Sequence, residues 1–202
     1  MDIKERIINE SGILFAKYGI KSLTMDVIAS EMKISKRTIY EHFKDKDTLL
    51  LEVIRYFQSQ QAEEAHRIIE ESGNAIEAMF HILKRSIRIM KQVNPAFFHD
   101  ISKYHPGIYN QLAEKGDIRN YMVTLNLLHT GVKQKVFRDA LNIDIVNRAL
   151  HELFNLFSPE HQLTQEDYSR KELFENIIMP YFRGISTDKG VGLIEKCKKI
   201  LD

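Results

Sequence analysis

Between Thr24 and Leu50 the sequence TMDVIASEMKISKRTIYEHFKDKDTLL fits two short helical patterns into so few residues that the turn around Ile34 must be tight. Thr24 is a good N-cap, because its hydroxyl can accept from backbone N–H groups that lack partners in a first helical turn. Val27, Ile28, Ala29 and Met32 then give a short helix one apolar side. Ser35 is a second cap, and Ile39 and Phe43, four residues apart, point to the same side and pack inward on the first helix. Ile34 fills the turn between the two. A helix, a tight turn and a second helix with an outward polar side follow from this spacing alone.

At about 100° per residue, the side of the second helix opposite Ile39 and Phe43 carries Arg37 and Glu41, flanked by Thr38 and Tyr40, with Lys36 on the first turn. A protruding helix of this kind fits the DNA major groove, where Lys and Arg pair with guanine O6 and N7 and a Thr methyl touches thymine. The helix start at Ser35 also favours phosphate through its free N–H groups and dipole. From Lys33 to Lys46, five cations (Lys33, Lys36, Arg37, Lys44, Lys46) face two carboxylates (Glu41, Asp45), a local surplus of three. Charges on a short helix are usually a solvated face, and Glu41, Lys44 and Asp45 are read that way, with Asp45 capping the next helix. Phe15 and Tyr18 are expected in the core.

The segment resembles the DNA-binding domain of the TetR family of bacterial one-component transcription regulators. The match begins with Ala16, Tyr18 and Gly19 in LFAKYGIKSLT, continues through Met25, Ile28 and Ala29, and ends in SKRTIYEHFKDKDTLL with Leu49 and Leu50. The resemblance implies that Thr24 contacts phosphate and that Lys36, Arg37 and Thr38, following Ser35, form the base-reading first turn. It implies that Tyr40 and His42 touch the DNA backbone, Tyr40 also a base, and that Lys46 pairs with phosphate. Asp26 departs from the pattern, being acidic where some relatives are basic.

The chain has 202 residues, so residues 48–202 form a second domain beyond a helix-turn-helix domain of residues 1–47. Its formal net charge is only +1, so DNA affinity should come from a few placed phosphate contacts doubled by dimerisation, with moderate salt dependence. The lone Cys197 excludes an intramolecular disulfide and fits a reducing cytoplasm. No apolar stretch reaches signal-peptide or membrane-spanning length, so a cytoplasmic protein without a membrane partner is expected.

Helical periodicity dominates the rest, and the expected fold is all-α. One long helix runs from Asp45 to about Glu71, joins both halves as a rod, and is stopped by Gly73. Ala75 to Gln92 carries a stripe of Ile76, Met79, Phe80, Leu83, Ile87 and Met90. A short aromatic piece, PAFFHDISKY, is broken at His105-Pro106-Gly107. Ile108 to about Lys133 is helical with a restart near Gly116-Asp117, its later stripe being Tyr121, Leu125, Leu128 and Val132. After a connector, VKQKVFRDALNIDI, helices follow at Asp144–Phe157 and around Leu173–Phe182, the latter kinked by Pro180, with a polar loop at Ser158–Asp167.

The last two helices are apolar over wide faces: Val146, Ala149, Leu150, Leu153, Phe154 and Phe157 on one, Phe174, Ile177, Ile178 and Tyr181 on the other. Faces this broad suggest packing across a twofold axis, giving a homodimer through a four-helix bundle. Twofold-related recognition helices would read a palindromic site in double-stranded DNA with half-sites about 34 Å apart or slightly more. The family resemblance implies a small-molecule effector enclosed by the middle helices. Met90, Phe97, Phe98, Tyr104, Tyr121, Met122 and Leu125 would suit a largely apolar ligand, oriented by Asn126 and His129. A ligand preferring one arrangement of these helices would change operator affinity, and repression is the commoner sign in such a family.

GxSxG, P-loop, HExxH and GxGxxG motifs are absent, and the helical pattern offers no strand to host them, so neither an enzyme nor a cofactor is expected. His99, Asp100 and His105 lack the further ligands a metal needs and are read as surface or packing groups. The competing class is a helical protein-interaction adaptor whose helix-turn-helix does not read DNA. Lys36, Arg37, Thr38 and Tyr40 argue against it.

Overall fold

A computed structural model of the chain describes residues 2–114, 121–157, 163 and 168–200. The described residues are all-α, with a single isolated β-bridge between Phe137 and Ser186. The chain forms two compact units: Met1–Glu63 with Ile87–Ile118, and Glu64–Ser86 with Arg119–Asp202.

In the first unit, α1 (Ile3–Tyr18), α2 (Met25–Glu31), α3 (Lys36–His42) and the early part of α4 (Lys46–Glu71) surround a core of Ile7, Phe15, Ile20, Leu23, Ile28, Ile39, Phe43, Leu49, Leu50 and Val53. Three of these helix starts, those of α2, α3 and α4, are capped by a local side chain. Thr24 Oγ1 accepts from the Val27 N–H at 3.2 Å, Ser35 Oγ from the Thr38 N–H at 3.0 Å, and Asp45 Oδ1 from the Thr48 N–H at 2.8 Å. α2 ends with Lys33 at φ 55°, which lets the Ile34 N–H reach back to Ala29 O at 3.0 Å, a left-handed cap that makes the turn tight. α1 ends at Gly19, where φ is +79° and a Cβ would stand 3.1 Å from Asp100 Oδ2, so a side chain is excluded twice over. Tyr18, expected in the core, is 45% exposed beneath the Lys17 ammonium, because the helix ends with that residue on its outer side.

The unit does not stop at residue 47. α6 (Pro95–Tyr104) and α7 (Pro106–Glu114) complete it, placing Ile101 and Ile108 on the same core. Asn94 caps α6 by accepting from the Ala96 N–H at 2.9 Å, and its amide nitrogen donates to Lys17 O at 3.1 Å. Buried Asp100 accepts from the Lys21 backbone N–H at 2.7 Å, which ties the α1–α2 loop to α6. His105 Nδ1 approaches Asp47 Oδ1 at 2.8 Å, without the geometry of a hydrogen bond. The last three of these contacts, 58 to 79 residues apart in sequence, account for the unit extending beyond a helix-turn-helix.

The second unit takes the end of α4, the start of α5 (Ala75–Gln92), α8 (Tyr121–Lys133), α9 (Ile143–Asn155), a short α10 (Arg170–Leu173), α11 (Met179–Ile185) and α12 (Asp188–Cys197). Between α10 and α11 lies a π-helical turn, Phe174–Ile178, in which the Met179 N–H bonds back to Phe174 O. Pro180 explains it: proline has no N–H and crowds the carbonyl four residues back, so the ladder opens by one residue just ahead of it. The buried side of α8 is Thr124, Leu127, Leu128 and Gly131 rather than the expected Tyr121, Leu125, Leu128 and Val132, a rotation of one position about the helix. α12 has no counterpart among the expected elements. The loop expected at Ser158–Asp167 lies, apart from residue 163, outside the described residues.

Candidate nucleic-acid interface

α3 is held from beneath and open from above. Ile39 and Phe43 are buried against α2 and α4, while Lys36, Arg37, Tyr40, Glu41 and His42 are exposed and Thr38 is half-buried. The Arg37 side chain is 88% exposed. Ser35 and Thr38 share a hydroxyl–hydroxyl bond of 2.8 Å at the helix start, so their oxygens are fixed relative to the first turn. Thr24 caps α2 and is itself exposed.

The cations on this helix are not free. Lys36 Nζ lies 2.7 Å from both carboxylate oxygens of Asp26 on α2, and Arg37 Nε lies 2.9 Å from Glu41 Oε1. The hydrogen bond it donates to Asp26 is the main reason that the Lys36 ammonium holds its proton more firmly than usual. Asp26 lies outside the stretch counted along the sequence and lowers the surplus there from three to two, while on α3 itself Lys36 and Arg37 are each matched by a carboxylate.

Lys46 is placed differently from the expectation of a phosphate contact. Its ammonium donates to Ile20 O and Leu23 O, each at 2.6 Å, and so holds the loop that leads into α2. Partial burial lowers its pKa, with Asp100 and Asp47 opposing that effect. An ammonium has three N–H donors, so one remains beyond these two bonds.

The residues expected around an effector are divided between the two units. Met90, Phe97, Phe98 and Tyr104 belong to the first unit, where Phe97 packs on the core and the Tyr104 hydroxyl accepts from Lys21 Nζ at 3.0 Å. In the second unit Tyr121 and Leu125 are half-buried, while Met122, Asn126 and His129 are exposed. The polar groups that are buried there were missed. Thr124 Oγ1 lies 2.6 Å from Asn147 Oδ1 and 2.7 Å from His151 Nε2, and Asn147 Nδ2 donates to Tyr121 O at 3.1 Å. A hydroxyl carries one hydrogen, so giving it to Asn147 requires His151 Nε2 to be a donor in return. Asn147 and His151, four apart and each directly following an apolar residue, Val146 and Leu150, are the sequence signal that could have marked this cluster.

Among the residues expected at a twofold interface, Val146, Leu150, Phe157, Phe174 and Ile178 are buried within one chain. Ala149, Leu153, Phe154, Ile177 and Tyr181 are half-buried, and neighbouring Ile145 is 64% exposed. Tyr181 donates its hydroxyl to Val146 O at 2.5 Å, and burial pushes its pKa up to about 12.

Two short capped helices at a tight turn, the second with a buried apolar side and an exposed polar one, define a helix-turn-helix DNA-binding transcription regulator. Residues 7–53 match the sequence model described as bacterial regulatory proteins, tetR family. The chain belongs to that family. It is 27% identical over 187 residues to the HTH-type transcriptional regulator YvaF of Bacillus subtilis (strain 168), covering 92% of this chain and 96% of that protein. It is 21% identical to the HTH-type transcriptional repressor KstR2 of Mycolicibacterium smegmatis (strain ATCC 700084 / mc(2)155), over 74% of each chain. A crystal structure of a transcriptional regulator from Saccharomonospora viridis in complex with choline shares the fold, with a TM-score of 0.70 at 21% identity over 91% of this chain and 97% of that one. No helix among the described residues is long and apolar enough to cross a membrane.

Proposed function

We propose that the protein is a cytoplasmic, homodimeric repressor that binds a palindromic operator through α3 of each copy and is released by a small, largely apolar effector. The observation that carries this is α3 itself, seated by buried Ile39 and Phe43 with Arg37, Thr38 and Tyr40 turned outward from a capped first turn. In this reading residues 1–47 read DNA. Lys36, Arg37, Thr38 and Tyr40 face the major groove, Thr24, Ser35 and His42 meet the sugar–phosphate backbone, and Lys46 offers phosphate its remaining N–H.

Residues 48–202 supply regulation and pairing. The half-buried apolar stripe of Ala149 and Leu153 on α9, extended by Ile145, with Ile177 just ahead of α11 and Tyr181 on it, supports pairing with a second copy. The buried cluster of Thr124, Asn147 and His151 beside Tyr121 would supply the few polar groups that orient an apolar ligand. Repression is favoured by the similarity to a relative named as a repressor, and ligand control by the choline complex of a protein with the same fold.

The test is fluorescence anisotropy with labelled duplexes tiling the DNA beside the protein's own gene, alongside sedimentation of the protein. A dimer binding one palindromic duplex well above the rest is expected. A monomer, or equal affinity for all duplexes, would contradict the proposal, and failure to bind any duplex would favour a protein-interaction adaptor.

A further inference from the structure

We propose that Asp26 is a specificity-determining residue: by neutralising Lys36 across the α2–α3 turn, it withholds that lysine from DNA lacking the operator sequence. The inference rests on the reading of α3 as the groove-facing helix.

The pair joins two helices rather than neighbours on one. Asp26 stands in the first turn of α2 and Lys36 in the first turn of α3, and both oxygens of the carboxylate are 2.7 Å from the ammonium. Both side chains are more than half exposed, so the pair adds little to folding and can be removed without unfolding α2. Its consequence falls on the DNA side. Sequence-independent binding comes from cations that displace counterions condensed on the phosphates. A phosphate approaching Lys36 also approaches Asp26, and attraction and repulsion of nearly equal range cancel.

A correct site differs, because the lysine can direct a remaining N–H at a base acceptor without adding net charge to the contact. Arg37, the other cation on the outer side of α3, is likewise paired with Glu41. With a formal net charge of +1 the chain has no large overall basic field that would mask the release of one lysine. Asp26 thus acts as a filter: it lowers affinity for every sequence and costs least at the operator.

The experiment compares the full chain with D26N, K36M and the double variant, by anisotropy on an operator duplex and a scrambled duplex of the same length, titrated with salt. On scrambled DNA, D26N should steepen the log–log salt dependence by about 0.9, or about 3.5-fold greater loss of affinity between 50 and 200 mM salt. K36M, which leaves the Asp26 carboxylate unpaired, should weaken binding to scrambled DNA, and the double variant, with neither charge, should return to the wild-type salt slope. The ratio of operator to scrambled affinity should fall in D26N. Equal salt slopes for wild type and D26N, or a double variant with a slope as steep as that of D26N, would overturn the proposal while leaving α3 as the DNA-binding helix. Absence of salt-dependent binding by the wild type to either duplex would overturn both.

Discussion

Replacing Lys46 with Met separates two roles that the sequence alone could not tell apart. The methionine keeps the aliphatic stem against its neighbours but removes two charge-assisted hydrogen bonds, to Ile20 O and Leu23 O at 2.6 Å. Such bonds contribute about 1.5–3 kcal/mol each, but Ile20 O keeps the Leu23 N–H at 3.3 Å, and removing a half-buried ammonium also removes the desolvation that lowers its pKa. A net loss of about 2 kcal/mol is expected. In urea this moves the unfolding midpoint of the first unit down by about 1 M, for a slope of about 2 kcal/mol/M. Amide exchange should accelerate first at residues 20–24, the loop that the ammonium holds. An unchanged midpoint and unchanged exchange, together with a salt slope on DNA reduced by about 0.9, would refute the tether and leave Lys46 a phosphate contact alone.

Thr124→Val keeps the shape of the side chain but takes the hydroxyl from Asn147 and His151, and calorimetry should register a loss of about 1–3 kcal/mol; a change under about 0.5 would mean the cluster is not a closed network. Leu153→Glu places a charge on the half-buried stripe of α9, and sedimentation should find monomers with wild-type helicity, whereas an intact dimer would move the interface elsewhere. The Asp45 carboxyl is held below its ordinary pKa by the Thr48 side chain and then its backbone, so its capping contribution is complete above the unfolded carboxylate pKa and is lost as pH falls through the depressed folded value. Amide exchange at Thr48 should follow that titration in the wild type and be insensitive to it in Asp45→Asn.

Thr24, Ser35 and Asp45 were legible as caps because the bonds they make reach only three residues along the chain. Ile39 and Phe43 were legible as the inner side of α3 because helical spacing fixes which residues share a side. What escaped depends on distant partners. The bonds from Lys46 span 23 and 26 residues, and that from Lys21 to Asp100 spans 79, so no local pattern contains them. On α8, hydrophobicity pointed to Tyr121, Leu125 and Val132, but the buried side includes Thr124, whose polarity is satisfied by two residues of α9. Pro180 was legible as a disturbance of its helix, and its form, a π-helical turn upstream, is a matter of how the backbone redistributes its bonds. Asp26 was visible as an oddity, and only its distance to Lys36 gives it a role.

The most direct measurement is the affinity of Arg37→Ala and wild type for the operator and a set of duplexes with one base pair changed in each. If the outer side of α3 reads bases, the variant loses about 1–3 kcal/mol on the operator and becomes indifferent to the base pair at one position of each half-site. If the variant keeps wild-type affinity and the same preference at every position, α3 does not read the groove, and the account built on it fails.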